Sequence, residues 1–309
     1  MTSQDDSAEL SFAEGADPQQ VARMVHELSD QRLAELLVDE VREAALGEIF
    51  RRFPDYVDPE RIGDSEGLVE WVIADDGTSD RFLVRFEDGG CRVGGEPAGE
   101  PRVTLELGAV AFVKLVTGNA NPATMYLSGV LGLRGDVLFA IEMGGFLRIP
   151  GAEGETSADG ALDPSGVDAT DIALAVRGVD DSVLRERMRG EVRELILDEV
   201  IRRFPEYLDG SKATGVDSVI GWKITGREDG EPDRFRVVVR DGVVRAGREI
   251  DEEPKLTIKL DGVDFLKLVT GNLNPVMAFM SGKLKLNGDV AFAARLPGIF
   301  RIPSAEQAG

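Results

Sequence analysis

Val116-Thr117-Gly118-Asn119-Ala120-Asn121-Pro122 returns 153 residues later as Val269-Thr270-Gly271-Asn272-Leu273-Asn274-Pro275. Each stretch reads as a helix end followed by a helix start. Gly118 and Gly271 suit the left-handed residue past a helix, and Asn121-Pro122 and Asn274-Pro275 suit an N-cap with proline in the first turn. The match extends outward in order. Roughly half of the positions from Pro101 to Pro150 match Pro254 to Pro303, including Ser128-Gly129 with Ser281-Gly282, Gly135-Asp136 with Gly288-Asp289, and Arg148-Ile149-Pro150 with Arg301-Ile302-Pro303. Upstream, Arg51-Arg52-Phe53-Pro54-Asp55-Tyr56 and Trp71 recur 151 residues on as Arg202-Arg203-Phe204-Pro205-Glu206-Tyr207 and Trp222. Asp80-Arg81-Phe82 and Asp233-Arg234-Phe235 are again 153 apart, so two residues are inserted between Trp71 and Asp80, where a hairpin turn absorbs them. A repeat of this length is a duplicated domain; solenoid units run to only about 20–50 residues.

Each copy reads as the same series of elements. An amphipathic helix is predicted over about Gln31–Phe53, with Leu33, Leu36, Leu37, Val41, Ala44, Ala45 and Ile49 on one face, and over Ser182–Phe204 in the second copy. Pro54 and Pro205 stop it. Three strands follow, 68–75, 81–87 and 90–94 or 218–225, 233–240 and 243–247, with Asp88-Gly89 and Asp241-Gly242 as hairpin turns. Trp71 and Trp222 are expected to pack from these strands onto the first helix. A fourth strand (Val103–Leu107, Leu256–Leu260), two short helices, a fifth strand (Val130–Arg134, Lys283–Asn287) and an apolar closing helix complete the copy. Asp136 and Asp289 cap that last helix. Gly144-Gly145 are expected to fray it in the first copy.

Gly151–Thr170 is small and acidic with little apolar surface, and reads as a flexible linker. The organisation is thus an acidic N-terminal extension (1–30), a first domain (31–150), a linker (151–170), a second domain (171–303) and a tail (304–309).

Composition narrows function by exclusion. The 309 residues carry a formal net charge of −22, with 13 Lys+Arg against 30 Asp+Glu in residues 1–155. Phosphate backbones repel such a chain, so nucleic acid is not the expected partner; the acidic first half is a candidate surface for a protein partner. The single Cys91 forbids an intrachain disulfide, and with the single His26, expected on an exposed helix, it leaves no His/Cys metal cluster or Cys–His pair to assemble. No run of about 18 apolar residues occurs, and Met1–Gln20 lacks the pattern of a secretory signal, so a cytoplasmic protein without stable membrane insertion is expected. Phosphate-loop, dinucleotide, zinc-protease and nucleophile-elbow motifs are absent, and the expectation is no enzyme and no cofactor. Arg51-Arg52 and Arg202-Arg203 sit where a helix dipole favours cations.

The order of elements, together with Leu256-Thr257-Ile258-Lys259-Leu260, Asp264-Phe265-Leu266-Lys267-Leu268, Thr270-Gly271, Asn274-Pro275 and Ala278-Phe279-Met280-Ser281-Gly282-Lys283-Leu284-Lys285-Leu286-Asn287-Gly288-Asp289, resembles a type-2 sterol carrier protein domain, in each copy. The resemblance implies an α+β fold. Each copy would be a five-stranded, mostly antiparallel sheet covered by helices, with an apolar tunnel that holds sterol, fatty acyl or isoprenoid lipid without catalysis. The matching tunnel positions are Phe265, Leu268, Val269, Met277, Phe279, Met280, Leu284, Leu286, Phe292 and Phe300 in the second copy, and Phe112, Leu115, Val116, Met125, Tyr126, Leu127, Leu131, Leu133, Phe139 and Phe146 in the first. Tunnel lining and packed core share one composition, so each of these positions also suits plain core. The first copy lacks the lysines at 283 and 285, which directs attention to the second copy for ligand. Two other readings stand beside lipid carriage: an interaction or dimerisation scaffold with closed cavities, and an accessory factor presenting an isoprenoid or quinone precursor to enzymes.

Overall fold

The computed structural model describes residues 17–75, 77–95, 99–148 and 167–301, in two compact units, Met1–Val167 and Asp168–Gly309. The first unit opens with α1 (Pro18–Glu27), α2 (Asp30–Leu36) and α3 (Asp39–Arg52), then a 3-10 turn at Phe53–Tyr56. Strands β1 (Gly67–Asp75), β2 (Thr78–Glu87), β3 (Gly90–Val93) and β4 (Val103–Leu107) lead to α4 (Ala109–Val116), α5 (Pro122–Ser128), β5 (Gly132–Gly135) and α6 (Val137–Phe146). The second unit repeats this: α7 (Ala169–Val176), α8 (Asp181–Arg187), α9 (Gly190–Arg202), a 3-10 turn (Phe204–Tyr207) and a one-turn α10 (Gly210–Ala213). It continues through β6 (Asp217–Thr225), β7 (Asp233–Arg240), β8 (Val243–Gly247), β9 (Leu256–Asp261), α11 (Gly262–Val269), α12 (Pro275–Met280), β10 (Lys285–Gly288), α13 (Val290–Ala293) and α14 (Leu296–Ile299).

Both sheets have five strands in the same order: β3, β2, β1, β4, β5 in the first unit and β8, β7, β6, β9, β10 in the second. The meander is antiparallel; β1 with β4, and β6 with β9, run parallel; β5 and β10 return antiparallel. The hairpin turns have positive φ at both central residues, 52° and 72° at Asp88-Gly89 and 48° and 81° at Asp241-Gly242. That backbone matches the twist of the flanking strands. Asn121 and Asn274 cap α5 and α12 through their side-chain oxygens, and Asp136 and Asp289 cap α6 and α13.

Three expectations are corrected. The helix predicted over Gln31–Phe53 is two helices, α2 and α3, and Ser182–Phe204 is likewise split into α8 and α9. The break is a left-handed residue, Asp39 at φ 45° and its counterpart Gly190 at φ 52°. A continuous right-handed helix cannot pass through that backbone. Residues 17–30 and 169–170, read as extension and linker, contribute α1 and the start of α7; Ala22 and Val25 of α1 and Ala173 and Val176 of α7 are buried. Asn119 Nδ2 donates to the Ala22 carbonyl and Asn272 Nδ2 to that of Ala173, both at 2.9 Å, which ties these helices down. Asp168 caps α7, and residues 1–16 and 151–166 lie outside the described residues.

The third correction concerns the closing helix. Gly144-Gly145 do not fray α6, which runs unbroken from Val137 to Phe146. The break is in the second copy, where Pro297 lacks an N–H and its ring opposes the carbonyl four residues back; the helix divides there into α13 and α14.

One buried clasp repeats in both units. Arg42 of α3 donates to Asp80 at 2.9 Å and to the Ile73 carbonyl at 2.8 Å, and also pairs with Asp75. Arg193 of α9 donates to Asp233 at 2.9 Å and to the Thr225 carbonyl at 2.8 Å. Each clasp fixes the long helix against the central hairpin.

Candidate functional site

The floor of each candidate site is one row of side chains across the sheet. In the second unit the register places Trp222 opposite Ile258, and Ile258 opposite Leu286. In the first it places Trp71 opposite Leu105, both on the floor, and Leu105 opposite Leu133, which lies beyond it. Because side chains alternate across a strand, such a row lies on one face of its sheet.

Above this floor the second unit holds a cavity of about 400 Å³. Its wall is Leu268 and Val269 at the end of α11, Pro275, Val276 and Phe279 of α12, then Leu284, and Val290, Ala293 and Ala294 at α13. Leu296, Pro297 and Phe300 close one end, with Phe204 and Tyr207 of the 3-10 turn. Among the described residues, Tyr207 and Trp222 bring the only polar side-chain atoms to that wall. Burial pushes the Tyr207 phenol above its usual range, so it stays neutral.

The first unit's cavity is smaller, about 110 Å³. Pro18 and Val21 of α1 lie along it, and the unbroken α6 brings Ala140, Met143 and Gly144 onto it. Glu48, Arg52, Tyr56, Thr117 and Arg148 also reach this wall. Arg52 pairs with Glu48 at 2.6 Å, so a closed ion pair occupies one side of it. Ligand pockets generally measure about 300–1,000 Å³, a range that includes the second cavity and excludes the first.

The residues named from the sequence separate into three groups. Leu268, Val269, Phe279, Leu284, Leu286 and Phe300 are brought together around the second cavity, and Leu115, Val116 and Leu131 around the first. Phe265, Phe292, Phe112, Met125, Leu127, Phe139 and Phe146 are buried but lie off the two walls, while Tyr126 and Leu133 are half-buried and also off them. Met277 and Met280 face solvent. The sequence reading missed the tryptophans as wall residues, although their recurrence at one spacing was a usable signal. Each indole stands edge-to-face on a phenylalanine of the following helix, Trp71 on Phe112 at 5.5 Å and Trp222 on Phe265 at 5.2 Å. Among the described residues neither indole N–H has a hydrogen-bond partner. No cluster of His, Cys, Asp and Glu among the described residues suits a metal ion, and no described helix is long and apolar enough to cross a membrane.

Each half is therefore a helix-covered five-stranded α+β domain with a largely apolar cavity. The sequence pattern of the SCP-2 sterol transfer family matches residues 46–148 and again 197–301, and the chain belongs to that family, with two of its domains in tandem. It is 29% identical over 169 residues to sterol carrier protein 2 of Gallus gallus, covering 55% of this chain and 26% of that protein. It is 31% identical over 100 residues to hydroxysteroid dehydrogenase-like protein 2 of Rattus norvegicus, covering 32% of this chain and 19% of that one. The chain thus spans about a quarter or less of these relatives. Among solved structures, sterol carrier protein 2 from Yarrowia lipolytica in its apo form is 23% identical, with 36% of this chain and 93% of that one covered and a TM-score of 0.29. The sterol carrier protein domain 2 of Helicoverpa armigera is 22% identical, with 34% and 82% covered and a TM-score of 0.30.

Proposed function

We propose that this chain is a non-catalytic lipid carrier whose ligand occupies the cavity of the second domain. The observation that carries this reading is the wall of that cavity. It is apolar apart from the Tyr207 hydroxyl and the Trp222 indole N–H, it has the volume of a ligand pocket, and among the described residues no acid, base or nucleophile ionised near neutral pH lines it. A hydrocarbon body is held there because removing apolar surface from water is favourable by about 25 cal/mol per Å². The first cavity, smaller and partly occupied by the Arg52–Glu48 pair, takes ligand more weakly or serves packing alone.

The test is titration with cis-parinaric acid, a fluorescent fatty acid. Ala293 lies on the second wall and Ala140 on the first, so a tryptophan at either position fills one cavity. Ala293→Trp is expected to weaken uptake by at least about tenfold, and Ala140→Trp to leave it near wild type. Uptake that survives Ala293→Trp overturns the assignment.

A further inference from the structure

Helix α12 carries four large apolar residues into solvent. Val276 and Met277 are each 63% exposed, Phe279 is 50% exposed and Met280 is 76% exposed. Val290, at the start of α13, is 53% exposed. Inside α12 only Ala278 is buried. The matching helix of the first domain shows the reverse: Ala123, Met125 and Leu127 are buried, and the position of Met277 is taken by Thr124. The second domain thus carries on α12 an apolar face that α5 lacks; around α5 the exposed large apolar residues are Val130 and Leu138, outside that helix. Single exposed apolar side chains are ordinary; five grouped at two adjoining elements mark an interaction surface.

Two observations say what that surface meets. Val276, Phe279 and Val290 belong both to the exposed face and to the cavity wall, so the face is the rim of the cavity. The surrounding charge is positive in a chain that is otherwise strongly acidic. Pro254–Arg301 holds seven Lys and Arg against three Asp and Glu. Exposed Lys285 follows closely on α12 and exposed Arg295 precedes Leu296 of the wall, while Lys283, between α12 and Lys285, is paired with Asp264 at 2.9 Å. An apolar face edged by cations suits the boundary between headgroups and acyl chains of an anionic bilayer. Charges more than a Debye length away, about 8–10 Å, are largely screened, so the acidity of the whole chain does not cancel this local field.

We infer that the α12 face docks the second domain on an anionic lipid surface, with the mouth of the cavity set against the bilayer for lipid exchange. This rests on the carrier reading above, and the two are tested separately. The full chain is floated with vesicles of phosphatidylcholine alone and with vesicles containing roughly one-quarter phosphatidylserine. Met277 and Met280 are off the cavity wall, so Met277→Ser/Met280→Ser leaves the cavity intact. Wild type is expected to float with the anionic vesicles, and this variant to lose at least about tenfold in partitioning while still taking up cis-parinaric acid from solution. Lys285→Glu should weaken flotation on anionic vesicles only. Wild type that floats with neither vesicle, or a double serine variant that floats like wild type, overturns the inference. So does a dimer in solution that this variant makes monomeric, because the face is then covered by a second copy. Loss of parinarate uptake in wild type would instead refute the carrier reading.

Discussion

At the scale of single residues, the backbone at Asp39 and Gly190 shows one geometric demand met in two ways. Both stand at positive φ, and nothing lies within 4 Å of where a Cβ on Gly190 would point, so substitution there meets conformational strain without a clash. Gly190→Ala is expected to cost about 1 kcal/mol of stability and Gly190→Asn less, read from urea denaturation. Equal costs for the two would mean that the left-handed conformation does not decide the site. Cys91 gives a second prediction. Burial pushes its thiol up to about 12, so almost no thiolate forms near neutral pH. Alkylation by iodoacetamide at neutral pH should be slow in the folded protein and fast once it unfolds; rapid labelling of the native chain would contradict this.

At the scale of elements, two contacts hold the cavity in shape. Asp233 is fully buried, with Arg193 at 2.9 Å and Arg248 at 3.2 Å, whereas the Asp80 side chain is 40% exposed. Asp233→Ala strands buried Arg193 and should cost about 3–5 kcal/mol. Asp80→Ala, with water at hand, should cost about 1 kcal/mol or less. Denaturation followed by Trp222 or Trp71 fluorescence measures each in turn. The second contact is Asp209, which accepts from Ser211 at 2.6 Å and from Arg301 at 3.0 Å; these bonds hold its carboxyl far below the usual range. The Asp209 N–H donates to the Ile299 carbonyl at 2.8 Å, so this clasp ties the segment after Tyr207 to that carrying Phe300. A depressed carboxyl contributes stability above its unfolded value, near pH 4, and loses it as pH falls through the folded value. The stability gap between wild type and Asp209→Asn should be flat from about pH 6 to 8 and shrink below about pH 4. A gap unchanged in acid would rule this clasp out.

The duplication, the strands and the caps were legible because they depend on local signals: alternation, Asp-Gly and Asn-Pro. The helix breaks were harder. Asp39 carries no mark of a left-handed backbone, and only its alignment with Gly190 hints at one. Gly144-Gly145 misled because intrinsic propensity counts glycine as a breaker, while buried Gly144 is held by packing. The cavity wall was half legible. Leu268, Leu284 and Leu286 follow from apolar pattern, but α12 is six residues long, and its rotation turns Ala278 inward and Met277 and Met280 out. Composition does not record that rotation.

At the scale of the molecule, two copies of one fold have diverged in structure. The first has an unbroken closing helix, a small cavity lined on one side by an ion pair, and a surrounding half-chain rich in carboxylates. The second has a helix broken at Pro297, a larger and more apolar cavity, and a basic, apolar rim. The chain has two tryptophans, one on each cavity wall, so each domain carries its own reporter. Titrating Trp71→Phe and Trp222→Phe chains with cis-parinaric acid asks which domain binds. Energy transfer from Trp222 should saturate near one equivalent in the Trp71→Phe chain, with transfer from Trp71 in the other chain weak or appearing only at higher concentration. Transfer that saturates first from Trp71, or from neither, would contradict the assignment of ligand to the second domain.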